Sequence, residues 1–128
     1  MTSAIADTSV FIARESRRPL DTAAIPGELG VSIITVGELR TGVLTAADVM
    51  TRDRRLATLT AALTLQAIPI DEPVAESWTR LRVLLRDAGT RMPVNDSWIA
   101  ATAMSLGVPV VSQDDDYVEV TGLTVIKV

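Results

Sequence analysis

The chain contains neither cysteine nor histidine in its 128 residues. The first absence removes disulfides, thiolate metal sites and cysteine nucleophiles. The second removes the commonest general base and the commonest zinc ligand. Lysine is almost missing as well: of the twelve cationic residues all but Lys127 are arginine. No apolar run reaches the roughly 18 residues of a membrane-spanning helix. The N-terminus has no basic stretch leading into a long apolar one. These absences set the expectation of a cytoplasmic protein with no membrane partner. Net positive charge is lacking too, since the chain carries -4 and a pI near 4.7, which disfavours a simple electrostatic nucleic-acid binder. Any chemistry must come from carboxylates, hydroxyls, arginines or a hard cation.

Hydrophobic residues make up 48% of the chain, enough for one substantial core, and the expected organisation is a single domain over residues 1–128. Strands and helices alternate throughout. The apolar run at 3–7 reads as a strand, and Thr8 or Ser9 caps a helix over about 9–17 that stops before Pro19. Residues 31–34 form a second strand, and Thr35 opens a helix. Residues 46–65 read as a long helix with Val49, Leu56, Leu59 and Leu63 at helical spacing. Residues 67–70 are a strand at a sheet edge, because of Pro69. Asp71, Glu72 and Pro73 start a helix ending near Gly89, and Asn95-Asp96 starts another that stops at Gly107. The very apolar stretch 108–112 is a central strand, and 123–126 closes the chain. The fold class implied is α/β: a three-layer, mainly parallel five-stranded sheet flanked by helices.

Against this frame most of the sixteen acids read as surface charge, but four locations stand apart. Asp7 follows the first strand directly. Glu38 lies in the first turn of the helix after the second. Asp96 begins the helix that precedes the fourth strand, and Asp114, Asp115 and Asp116 follow that strand. In a parallel sheet all four locations fall at the carboxyl end, where open α/β sheets keep their binding crevice. Each acid also has a purely structural explanation. Thr35 and Glu38 fit a capping box, Asn95 or Asp96 could cap a helix, and the Asp triplet could be a solvated turn. Asp7 is the hardest to explain so, because a carboxylate behind a buried strand is costly unless something pairs with it.

Clustered carboxylates repel one another, and a cation removes that penalty. Oxygen ligands without His or Cys favour Mg²⁺ or Mn²⁺ over zinc. Such an ion can activate a water and stabilise charge on a phosphoryl oxygen, which replaces the missing histidine base. Metal-dependent phosphodiester hydrolysis is the reaction class that fits an acids-only site best.

Four blocks in order give a more specific indication: Asp7-Thr8-Ser9; Ser32-Ile33-Ile34-Thr35-Val36-Gly37-Glu38-Leu39 with Gly42 after it; Asn95-Asp96-Ser97-Trp98-Ile99-Ala100-Ala101-Thr102-Ala103; and Val110-Val111-Ser112-Gln113-Asp114-Asp115-Asp116-Tyr117. Through them nearly the whole chain resembles the PIN-domain ribonucleases, most closely the VapC toxins of bacterial VapBC toxin–antitoxin pairs. The resemblance implies that Asp7, Glu38, Asp96 and Asp114 form an acidic quartet, with Asp116 as a fifth acid. It implies Mg²⁺ most directly on Asp7 and Asp96. Thr8 and Ser112 match hydroxyl positions that orient the carboxylates or the attacking water. The family pattern Thr-x-Asp-x-Asp-Phe is altered here by Ser112 and Tyr117, and Asp115 adds an acid at its variable position.

The activity implied is endonucleolytic RNA cleavage by an ion-activated water, leaving 5′-phosphate and 3′-hydroxyl ends. The implied partners are an RNA substrate, a cognate antitoxin whose Arg-bearing segment crosses the pocket, and a second copy in a homodimer. Within that family two other outcomes stay open: an RNA-processing nuclease that is no toxin, and a PIN-fold interaction module that no longer cleaves. A haloacid-dehalogenase-type phosphatase would need a second acid at position 9, where Ser9 stands. A receiver domain would need a late lysine in the sheet, and Lys127 sits at the chain end. The arginines cluster at Arg14, Arg17 and Arg18, at Arg52, Arg54 and Arg55, and at Arg80, Arg82, Arg86 and Arg91. They read either as solvated helix faces or as phosphate contacts that the acidic centre cannot supply. Core packing is the expected role of Trp78 and Trp98.

Overall fold

In the computed structural model, which describes residues 1–128, the elements run β1 (Ala4–Ala6), α1 (Thr8–Glu15), a short 3₁₀ turn (Thr22–Ala24), β2 (Leu29–Ser32), α2 (Ile33–Leu44), α3 (Val49–Leu63), β3 (Gln66–Ile68), α4 (Glu72–Asp87), α5 (Val94–Leu106), β4 (Val110–Ser112) and β5 (Val125–Lys127). The sheet order is β3-β2-β1-β4-β5, and every neighbouring pair is parallel. β4 is therefore an interior strand and β3 an edge, with Pro69 just beyond it.

The short central strands are buried on both faces because helices cover each. Ile5 packs with Leu81, Leu85, Ile99, Ala103, Val110 and other residues of a cluster beneath α4 and α5. Its neighbour Ala6 points the opposite way, into a cluster of Phe11, Val31, Val36, Leu39, Leu59 and Ala62 under α1, α2 and α3. One residue of offset thus separates the two helical layers, as the period of two along a strand requires.

The order of strands fixes where a crevice opens. From β1 the chain winds outward through β2 to β3, then returns across the sheet to place β4 on the other side of β1. The carboxyl ends of β1 and β4 therefore flank the topological switch point, where helices on opposite faces diverge and leave room for a ligand. The backbone N–H of Asp7 donates to the Val111 carbonyl at 2.9 Å. That bond continues the β1–β4 ladder to the residue at which the sheet ends.

Several boundaries differ from those expected. The β-branched run at 31–34 breaks in the middle: β2 ends at Ser32, and Ile33 and Ile34 already belong to α2. The Ser32 hydroxyl accepts from the Ile34 N–H at 3.1 Å, so a local cap outweighs strand propensity. The same geometry removes the capping box at Thr35 and Glu38. The long helix expected over 46–65 is shorter at both ends, with α3 starting at Val49 after the Asp48 cap and ending at Leu63. Of its four regularly spaced apolar residues only Leu59 reaches the core; Val49, Leu56 and Leu63 are exposed. The core-facing stripe of α3 is instead Leu59 and Ala62.

α5 ends at Gly107, which adopts φ of 68°, a left-handed conformation that costs a side-chain-bearing residue about 1–2 kcal/mol. Gly37, inside α2, has open space where a Cβ would stand. Gly107→Ala should therefore lower the unfolding free energy by about 1–2 kcal/mol, and Gly37→Ala should raise it by about 0.5–1 kcal/mol. Urea unfolding of the two variants checks the opposite signs.

Candidate active site

Asp7 occupies the switch point. Its residue is 1% exposed, and no cation pairs with it. Three hydroxyls take the place of solvent. Ser9 and Ser112 donate to Oδ2 at 2.7 and 2.8 Å, and Tyr117 donates to Oδ1 at 3.0 Å. Burial, and then the charge of Asp7, push the Tyr117 phenol further above its ordinary value, so it stays protonated as a donor. The serines also collect the backbone after β4. Ser9 Oγ accepts from the Gln113 N–H at 2.9 Å, and Ser112 Oγ accepts from the Asp114 N–H at 2.9 Å. One carboxylate thereby ties the start of α1 to the turn carrying the acidic triplet.

Glu38 is held separately. Thr8 donates to its Oε1 at 2.8 Å, and the Thr8 and Thr35 hydroxyls lie 2.9 Å apart. Thr8 thus orients Glu38 and makes no hydrogen bond to Asp7, whereas Ser112 bonds Asp7 directly. Thr35 is fully buried at 0% exposure and fixes Thr8 from behind. Glu38 lies one helical turn inside α2, half-buried, facing the crevice across from α1.

Asp96 stands in the first turn of α5, whose N-cap is Pro93 with no side-chain cap bond. It does not cap the helix. Its carboxyl is pushed up to about 7, first by burial and then by Asp7, Asp116, Glu38 and Asp114 in that order. Every charged neighbour acting on it is an acid. Asp114 is also raised, by burial, Asp7 and Asp116, with opposing pulls from Arg18 and Lys127. Within the triplet the members diverge: Asp115 is exposed and pairs with Lys127, while Asp114 and Asp116 act on Asp96. The fold thus brings Asp7, Glu38, Asp96, Asp114 and Asp116 into one electrostatic unit and turns Asp115 out of it.

These residues fit a hard cation. The donors are all carboxylate and hydroxyl oxygens, as Mg²⁺ or Mn²⁺ prefers, and Asp96 faces only like charge. No group of three or more acids is arranged to hold an ion unaided.

A reading by motif misses what two members of this site do. Ser9 reads there as the end of the Asp7-Thr8-Ser9 block and as the absence of a second acid, yet its hydroxyl is the nearest donor to Asp7. Tyr117 reads as a substitute for Phe, yet its hydroxyl is an anchor. A buried Tyr needs a partner for its O–H, so the only tyrosine beside an acidic strand end was the available signal. Trp78 and Trp98 are half-buried and stack with ring centroids 4.2 Å apart and planes within 1°, outside the core clusters.

The five-stranded parallel fold is shared with known proteins. The PIN domain family matches residues 4–123, and the chain belongs to that family. Its curated relatives include Ribonuclease VapC5 of Mycobacterium tuberculosis, 44% identical over 97% of this chain and 92% of that protein. Ribonuclease VapC4 of the same organism is 46% identical, over 98% of this chain and 96% of that protein. Among solved structures, VapBC-5 from Mycobacterium tuberculosis, a member of the VapBC family of toxin–antitoxin systems, superposes with a TM-score of 0.91. It shares 40% identity and covers 100% of both chains.

Two outcomes follow from the site geometry. Tyr117→Phe removes one donor to Asp7 and should cost about 1–3 kcal/mol of stability and about tenfold in Mn²⁺ affinity, read by urea unfolding and titration calorimetry. Asp96 gives a pH dependence. Its folded value near 7 lies above the unfolded value of about 3.9, so the folded chain retains a proton that the unfolded chain has released. The stability of the metal-free protein is then full below about pH 4 for this group and falls as pH rises to about 7. Asp96→Asn should flatten that slope in melting curves taken across the range.

Proposed function

We propose that this chain is a Mg²⁺-dependent endoribonuclease, the toxin of a toxin–antitoxin pair, with Asp7 and Asp96 as the ion's carboxylate ligands. The single observation that carries the site is the environment of Asp96, a half-buried carboxyl raised to about 7 by burial and four acids with no cation among them. The ribonuclease activity is supported by curated relatives that span nearly the whole chain.

When bound, Mg²⁺ would lower the pKa of a water and stabilise developing charge on a phosphoryl oxygen. The chain's own part is positional. The serine and tyrosine hydroxyls fix the direction of Asp7, and Thr8 with Thr35 fixes Glu38. Asp114 and Asp116 extend the negative field toward the β4 side and can take water protons. Burial of Asp7 and Ser112 keeps bulk solvent from the floor of the crevice, so charge interactions there are weakly screened.

The antitoxin partner is supported by the structural match to a toxin–antitoxin protein and by the acidic centre, which a guanidinium could neutralise in place of metal. A groove of about 450 Å³ leads from Thr8 and Glu38 past Ile12 and Leu39 to Arg54 and Arg55, giving such a segment a path. A homodimer also belongs to this reading, since Val49 and Met50 of α3 stand 80% and 81% exposed and offer apolar surface.

Asp7→Asn and Asp96→Asn should each lower Mg²⁺-dependent RNA cleavage at least 100-fold, on the order of losing a directly acting group, while circular dichroism stays that of the folded chain. Cleavage at the parent rate by either variant refutes the assignment. Millimolar Mg²⁺ or Mn²⁺ should raise the melting temperature of the parent, and a flat response would count against ion binding at these acids.

A further inference from the structure

A second cavity, of about 470 Å³, opens between α4 and the start of α5, lined by Arg82, Arg86, Arg91, Leu85, Met92 and Ser97, among others. No carboxylate lines it. Arg82 and Arg91 form no ion pair with any acid. Arg86 contacts Asp87 at 3.2 Å, a pair with both side chains exposed and so weakly held. The contrast with the groove beside Glu38 is chemical. There Arg54 faces Glu15 at 3.9 Å and Arg55 donates to the Gly42 carbonyl at 2.7 Å, so both cations are already engaged. In a chain of net charge -4, three guanidinium groups around one acid-free hollow stand out.

The hollow is built and tied to the acids. The Arg82 guanidinium lies over the Trp78 ring, 4.7 Å from its centroid, which holds the group flat and leaves its N–H edge free. Trp78 donates to Ser97 Oγ at 3.0 Å, and Ser97 is 5% exposed. Ser97 follows Asp96 in the same turn of α5, so the arginine cluster is fixed to the turn that carries the candidate ligand. The floor is apolar, with Leu85 and Met92 at 7% and 9% exposure, and Val94 stands 63% exposed at the rim. A cation rim over an apolar floor matches the two halves of a nucleotide, phosphate and base face.

From this juxtaposition we infer that the α4–α5 cavity is a subsite for a nucleotide of single-stranded RNA flanking the scissile phosphate, with its phosphate on Arg82, Arg86 and Arg91 and its base against Leu85 and Met92. This rests on the ribonuclease reading above. Five acids surround the reaction centre and repel the rest of the backbone, so the strand has to be gripped off-centre. This cavity offers the free cations to do it.

The test is fluorescence anisotropy with a labelled single-stranded RNA of about 12 nucleotides, in Mg²⁺, using Asp96→Asn as the uncleaving parent. Adding Arg82→Gln and Arg91→Gln together should weaken binding about tenfold and reduce the slope of log affinity against log salt by about 1.4, two single-strand phosphate contacts. Arg82→Lys with Arg91→Lys should restore most of the slope, because charge is kept. Arg40→Gln, a lone exposed charge on α2, should move affinity less than twofold. Undiminished binding by the double Gln variant overturns the subsite, as does an equal effect from Arg40→Gln. A change in sedimentation without a change in RNA affinity would make the face an interface between copies and also overturn it. Cleavage of the same RNA by the wild-type chain separates the two levels. Active wild type with unaffected variants sinks the subsite alone, while wild type that neither binds nor cleaves RNA sinks the ribonuclease reading and the subsite with it.

Discussion

The structure turns on a carboxylate that water cannot reach. Asp7 closes the central strand at 1% exposure, where an unsatisfied charge would cost several kcal/mol. Ser9, Ser112 and Tyr117 satisfy it with three O–H donors. The donors come from α1, the end of β4 and the segment beyond it, so satisfying one side chain pins three parts of the chain together. The two serines then hold the Gln113 and Asp114 N–H groups, and the acidic turn inherits its position from Asp7. A structural necessity and a candidate chemical role are met by the same contacts.

The remaining acids are arranged around that point by topology. The 3-2-1-4-5 strand order brings the ends of β1 and β4 side by side, though more than a hundred residues separate Asp7 from Ser112. α5 runs back across the sheet, so its first turn, with Asp96, returns to the same end. Burial first, and then the repulsion this creates, raise Asp96 to about 7, with no cation among the causes. Arginines that might have quenched the centre stand off to either side: Arg54 and Arg55 beyond Glu38, and Arg82, Arg86 and Arg91 beyond Ser97. An acidic floor beside a cluster of free arginines is a workable electrostatic layout for cleaving a polyanion, since it separates the place of reaction from the place of grip.

Much of the fold is legible from local patterns. The continuous apolar strands announce a doubly covered parallel sheet, Pro69 marks an edge, Gly107 ends a helix, and Asp71 caps one. The errors come where two local signals compete. At 31–34 the β-branched run and the Ser32 cap make opposite demands, and the hydrogen bond to Ile34 decides in favour of helix. On α3, helical spacing of Val49, Leu56 and Leu63 suggests a buried face, but spacing gives only a common direction. Whether that direction meets the sheet depends on the helix's rotation against Phe11 and Leu39, which no window of sequence contains.

The sequence by itself determined the chemistry of the centre, because a chain without His or Cys can offer only oxygen ligands and guanidinium groups. It also determined the general place of the acids, because parallel strands must end on one side. Tertiary structure decided which hydroxyl serves which carboxylate. Thr8 turns to Glu38 and not to its neighbour Asp7, while Tyr117, distant in sequence, reaches Asp7. It also separated Asp115, drawn outward to Lys127, from Asp114 and Asp116. Hydrogen bonds act within about 3 Å, and which atoms come that close is set by the packing of elements far apart along the chain.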